Sequence, residues 1–101
     1  MKLEAATLLD GVTADGAGTA VSGLQGVVNF TFWIIAASVT TGATVTVEAS
    51  PDGTNWFTVH TEAVTANGNT GPIYAPGRMD QVRASVSSRT DGTYTVKMTA
   101  N

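Results

Sequence analysis

Residues 44–59, Thr-Val-Thr-Val-Glu-Ala-Ser-Pro-Asp-Gly-Thr-Asn-Trp-Phe-Thr-Val, spell out an antiparallel hairpin and constrain the fold more than any other part of the chain. Val45, Val47 and Ala49 alternate with Thr44, Thr46 and Glu48, a period of two that sends one set to a core and the other to water. Ser50-Pro51-Asp52-Gly53 supplies the turn. Pro51 presets φ, Asp52 can bond its own backbone, and Gly53 tolerates φ > 0. The return arm then places Phe57 and Val59 on one face, and Trp56 and Thr58 on the other.

The rest of the chain follows the same grammar. Thr occurs seventeen times and Leu only four, a balance that favours strands because β-branched side chains fit a pleated surface. At 101 residues the chain forms one domain, large enough for one core. Apolar residues make up 43%, typical of a globular protein, whereas charged residues are 13%, well below the usual share. The net charge of −3 and the dispersal of Lys2, Arg78, Arg83, Arg89 and Lys97 argue against a nucleic-acid partner. With no Cys, disulfides and thiolate chemistry are excluded, which is compatible with a reducing cytosol. Met1-Lys2-Leu3-Glu4 does not open a signal peptide, and the apolar run Val27 to Ala37 is too short to span a bilayer, so a soluble chain with no membrane partner is expected.

Lys2 to Leu9 reads as a first strand closed by Asp10-Gly11. Val12 to Gly26 reads as a Gly/Ala/Thr/Asp-rich loop, with one short strand at Thr19 to Ser22. Val27 to Ala37 is the strongest strand, with Val28, Phe30, Phe32 and Ile34 on one face and Val27, Asn29, Thr31, Trp33 and Ile35 on the other. Thr40-Thr41-Gly42 turns the chain into the hairpin, whose second arm continues through Ala63. Asn67-Gly68-Asn69 marks a further turn, and Pro72 and Pro76 make Ile73-Tyr74-Ala75 an edge strand or an irregular bridge. Met79 to Ser87 alternates with Val82, Ala84 and Val86 inward. Asp91-Gly92 carries the signal of a two-residue hairpin turn, and Thr93 to Thr99 closes the chain with Tyr94, Val96 and Met98 inward. The prediction is an all-β, single-domain β-sandwich, Ig-like or jelly-roll, of about six to eight antiparallel strands. Residues 1–26 form an N-terminal strand and a loose arm or loop, and residues 27–101 form the sandwich core.

Chemistry is sparse. His60 is the only histidine, and with Glu62 two residues on it shares a strand face with Trp56 and Thr58 if the arm stays regular. The pair could orient a base or touch a metal, but a transition-metal site wants more ligands than the neighbourhood offers. Four of the five aspartates, Asp10, Asp15, Asp52 and Asp91, precede Gly, a placement that turn formation explains. The stretch Asp10 to Gly16 superficially resembles a calcium loop but lacks the alternating ligands and closing Glu. Gly16-Ala17-Gly18 lacks the rest of a dinucleotide fingerprint. The reading is a non-enzyme with no cofactor and no metal. Among the aromatics, Phe30, Phe32, Phe57 and Tyr94 read as core. Trp33 and Trp56 fall on the opposite registers and can cover an outer face, make an oligomer contact or stack on a sugar.

The motif Ser50-Pro51-Asp52-Gly53-Thr54-Asn55-Trp56 and the stretch Ser87 to Val96, within a Gly-, Ala- and Thr-rich chain lacking Cys, resemble small all-β virion proteins of tailed bacteriophages. The resemblance covers about Val27 to Asn101 and reads Ser87 to Val96 as a final hairpin. It implies a capsid decoration (cement) protein that binds the major capsid protein or other virion proteins, or else a minor head, neck or tail component. Further implications are a homo-oligomer, a trimer at lattice three-fold positions, and a place on the virion surface after assembly in the bacterial cytoplasm. Trp33, Trp56, Ile73 and Tyr74 are the candidate interface residues, and residues 1–26 are expected to order on contact with the particle. The alternative is a carbohydrate-binding sandwich module of a fibre or cell-surface protein, stacking sugars on Trp33, Trp56 and Tyr74. The Ser-x-Asp-Gly-x-x-Trp pattern is also similar to one in discoidin-like modules, but only the hairpin matches.

Overall fold

Among the described residues eight strands follow one another: β1 (Leu3–Val12), β2 (Gly16–Ala17), β3 (Asn29–Ala37), β4 (Ala43–Ser50), β5 (Phe57–Val64), β6 (Gly68–Pro76), β7 (Gln81–Ser87) and β8 (Thr93–Ala100). The computed structural model describes residues 3–24 and 26–101, with side chains from Ala5 onward. The strands build two four-stranded sheets, which we call A (β1-β8-β3-β6) and B (β2-β7-β4-β5), and every pairing is antiparallel. Pairs form as β1 with β8, β2 with β7, β3 with β6 and β4 with β5, so the chain is one long ribbon folded about the Ser50–Trp56 turn and then rolled up. That wrapping is the jelly roll. Among the alternatives legible in the sequence, it is the jelly-roll connectivity that the fold adopts.

Strand alternation builds the core. Phe30, Phe32 and Ile34 from β3, Val45 and Val47 from β4, Val82, Ala84 and Val86 from β7, and Tyr94, Val96 and Met98 from β8 are all essentially inaccessible to water. Phe30 and Phe32 stack with ring centroids 6.5 Å apart. At about 25 cal/mol per Å² of apolar area, this dry layer is the dominant stabilising term. Residues 3–24 are built into the same body. Leu8, Leu9 and Leu24 are buried, and β1 pairs with β8 from Leu3↔Ala100 to Val12↔Tyr94.

Several expectations are corrected, in four regions of the chain. First, Asp10-Gly11 does not end β1. It forms a bulge within the strand, where Gly11 takes φ 60° and the register shifts between Leu9 and Val12. The short strand expected at Thr19 to Ser22 is a single bridge, Val21↔Val82, and the pairing segment is instead Gly16–Ala17. Second, Val27 rather than Val28 is buried, because a turn with Val27 N–H donating to the Leu24 carbonyl (3.0 Å) delays the extended chain until Asn29.

Third, Phe57 is 61% exposed rather than core. It pairs with inward Ala49, yet it sits at the start of an edge strand with little beyond it to cover the ring. In the same strand Val59 is an extra residue in the pairing, which turns His60 and Glu62 to the inner side opposite Val47 and Val45, away from Thr58. Fourth, Asp91-Gly92 is not a hairpin turn and Ser87 to Val96 is not a final hairpin, since β7 lies in sheet B and β8 in sheet A. The segment is a corner between sheets. Its counterpart joins β3 to β4, and Ser38 and Ser88 open the two corners with φ of 57° and 52°.

Loops at this end of the sandwich are tied together. The Asp91 carboxylate accepts the N–H groups of Thr40, Thr41 and Gly42 at 2.9–3.1 Å, and Thr90 N–H donates to the Gly42 carbonyl (2.9 Å). Gly42 has φ +113°, and a β-carbon there would overlap the Val64 carbonyl, so only glycine lets the corner sit this close to β5.

Candidate functional site

Among the described residues no three of His, Cys, Asp and Glu gather into a metal-holding group, and no helix is long and apolar enough to cross a membrane. His60 Nε2 lies 3.0 Å from Glu62 Oε1, both about one-third exposed at the open edge of the sandwich. Asp15, from the calcium-like stretch, accepts the Arg89 N–H at 3.0 Å. Two further aspartates, Asp52 and Asp91, are likewise engaged in holding loops. The Asn55 and Thr54 N–H groups, with the Asn55 amide, bond the Asp52 carboxylate and hold it far below the usual range. At the corner, the Thr41 and Thr40 N–H groups hold Asp91 low in the same way. The Tyr94 hydroxyl donates to the Asp91 carbonyl at 2.7 Å, and burial, reinforced by the Asp91 charge, pushes its pKa up.

What the sandwich offers instead is surface. Along β3 the outward residues are Thr31, Trp33 and Ile35. Trp33 pairs with Lys97, and Thr31 lies between Tyr74 on β6 and Thr99 on β8. Beside Trp33, the β3–β6 register shifts at Gly71-Pro72. A β-carbon on Gly71 would stand 2.9 Å from the Phe32 carbonyl oxygen and 3.0 Å from Trp33 Cδ1, so its absence lets the edge strand close against the indole. Trp33, Ile35, Ala5 and the Lys97 stem line an open recess of about 290 Å³. A second hollow of about 420 Å³ lies beside it, between Tyr74, Thr31 and Asn101, and Thr99 lines both. Tyr74 is 73% exposed, the most exposed large apolar side chain described. The strands β3, β6 and β8 together carry a single charged residue, Lys97.

The outer face of sheet B is arranged differently. The Arg83 guanidinium lies 4.0 Å from the centroid of the Trp56 ring, and its Nε donates to Glu48 Oε1 at 3.1 Å across the β4–β7 pair. The indole is thus covered by its own chain.

Of the four residues singled out in the sequence, the fold brings Trp33 and Tyr74 to one face. Ile73 points the other way, paired with Phe32 and packed partly against the core, and Trp56 lies on the opposite sheet. Packed sheets stand about 10 Å apart, so Trp33, Trp56 and Tyr74 cannot form one sugar-stacking platform. Sequence reasoning missed the Asp91 hub. Its signal is the recurrence of Ser-x-Thr-x-Gly at Ser38–Gly42 and Ser88–Gly92.

No protein-family model matches the chain, and no curated protein matches it. Solved structures do. The SPBc2 prophage-derived protein YomS superposes with TM-score 0.64 at 10% identity, over 96% of this chain and 91% of that one. The PBSX exported protein XepA superposes with TM-score 0.57 at 16% identity. This chain is covered in full and spans 36% of XepA. At these identities the likeness is one of fold.

Proposed function

We propose that the chain is a structural virion protein of a tailed phage, a decoration protein that docks on the assembled head through the outer face of sheet A. The observation that carries this reading is the almost uncharged face of β3, β6 and β8, with Tyr74 exposed and Trp33 lining a recess. A surface of hydroxyls, aromatic rings and one lysine loses little on desolvation and presents the side-chain types enriched in interface cores. The jelly-roll fold shared with a prophage-derived protein supports the same setting. Docking is by shape, repeated over a lattice whose avidity compensates for a small contact. No step of chemistry is involved. The protein acts on the capsid surface, having assembled there in the bacterial cytoplasm, with the major capsid protein as its partner.

The test is co-sedimentation with purified heads and tails of a tailed phage that encodes the chain. Saturable occupancy of heads at fixed stoichiometry, lost in the Trp33→Ala/Tyr74→Ala double variant, is the expected result. Binding to tails alone reassigns the protein to the neck or tail, and binding to neither overturns the reading.

A further inference from the structure

The four edge strands of the two sheets are unequally protected. β2 is two residues long. β1 is interrupted by three register shifts, and β6 carries Pro72 and Pro76. Short strands, bulges, prolines and inward-pointing charges are the devices that keep an edge from pairing with another chain, and on β5 the inward charge is Glu62, which a partner strand must answer. β5 has eight residues, no Pro, no Lys or Arg, and a single shift at Val59. It opens on Phe57, 61% exposed beside a shallow hollow lined by Ala49, Pro51 and Met79.

We propose that β5 is the seam of a two-fold dimer, in which the β5 strands of two copies pair antiparallel about Thr61 and join two four-stranded sheets into one. The register follows from charge and side-chain parity. His60 and Glu62 lie on one side of the strand, 3.0 Å apart at Nε2 and Oε1, and both are partly open at the edge. Pairing about Thr61 sets His60 opposite Glu62 of the second copy, twice, so that donor and acceptor alternate around the axis. Pairing about Glu62 would set two carboxylates face to face, and pairing about His60 would oppose two imidazoles. A slip of one residue would put inward side chains opposite outward ones. The axis at Thr61 is the one that sets His60 opposite Glu62 while keeping inward side chains opposite inward ones. This inference is independent of docking by the sheet A face and predicts a dimer, whereas the resemblance to phage virion proteins implies a trimer.

The chain has no cysteine, so an engineered one is its only thiol. In the Thr61→Cys variant the two Cα atoms meet across the axis at about 4.5–5.5 Å, within disulfide range. In the Ala63→Cys variant the two sites lie four residues apart along the ribbon, about 13 Å at about 3.3 Å per residue, and cannot bridge. Both positions are exposed in the single chain. Under mild oxidation, Thr61→Cys is expected to yield a covalent dimer and Ala63→Cys to yield none, while light scattering gives a dimer mass for the unmodified protein. Loss of that mass in Glu62→Lys, with strand circular dichroism unchanged, is the matching charge result. A monomer or trimer mass, equal cross-linking of both cysteines, or no cross-link at Thr61 overturns the proposal.

Discussion

The two tryptophans stand on opposite outer faces, and the contrast between them separates a finished surface from an unfinished one. Trp56 lies beneath Arg83, which Glu48 holds in place, so sheet B completes its own aromatic contact. Trp33 has Gly71 and Lys97 for neighbours and opens onto a recess that no side chain among the described residues fills. Both residues occupy outward positions in Thr-rich sheets, and neither position alone distinguishes them. The difference arises because β4 and β7 carry opposite charges at paired positions, whereas β3, β6 and β8 offer the Lys97 ammonium and nothing to pair with it.

The strongest way to break the contrast is from beneath. Phe32→Ala empties the core on which both sheets rest and should cost about 3–5 kcal/mol, read by denaturant unfolding. Head binding and the Trp56 fluorescence environment should fail together, and survival of either would mean that the faces are supported separately. Next comes Trp33→Ala/Tyr74→Ala, expected to weaken particle binding by about 2 kcal/mol or more, about 30-fold, with unfolding nearly unchanged. Trp56→Ala should do the reverse, leaving binding intact and lowering stability by about 1 kcal/mol as the cation–π contact and its packing are lost. Equal effects of the two substitutions on binding would erase the distinction.

Acid provides a control that should act on both faces alike. Asp52 and Asp91 titrate below the ordinary carboxylate range when folded, so the unfolded chain binds more protons in that interval. Their contribution is fully present above about pH 4 and is lost as pH falls from there through the depressed values. Asp91→Asn should flatten that acid limb in a thermal melt series, and an unchanged limb would remove the hub from the account. The smallest effect is expected for Glu48→Gln, at most about 0.5 kcal/mol and weaker in high salt, because the pair is partly exposed.

Much of the fold was legible because most strands obey strict alternation. Val82, Ala84 and Val86, or Tyr94, Val96 and Met98, declare their burial with no competing signal. Pro72 and Pro76 marked β6 as an edge, since proline cannot complete a central ladder. Bulges hid the rest. One added residue at Val59 reverses the parity of His60 and Glu62, and nothing in the residue types there announces it. The corner at Asp91-Gly92 carries the dipeptide of a tight hairpin, yet whether the chain returns within a sheet or crosses to the other is decided by tertiary pairing. Of the candidate surface, the sequence put Trp33 on an outward register, as it did Trp56, and singled out Tyr74 only as a contact residue on an edge segment. That Trp56 would be covered by Arg83 depends on a cross-strand pairing invisible before the register is known.

The rolled-ribbon pairing has a kinetic consequence. Only β4 and β5 meet across a short loop, and each further pair encloses a longer stretch of chain, until β1 joins β8 across nearly the whole length. Closing a loop costs more entropy as it lengthens, unless inner rungs have already shortened the effective span. The order of assembly should therefore run outward from the Ser50–Trp56 tip, on the slow timescale of β-rich topologies. Substitutions at that tip should slow refolding, while those along β1 should chiefly hasten unfolding.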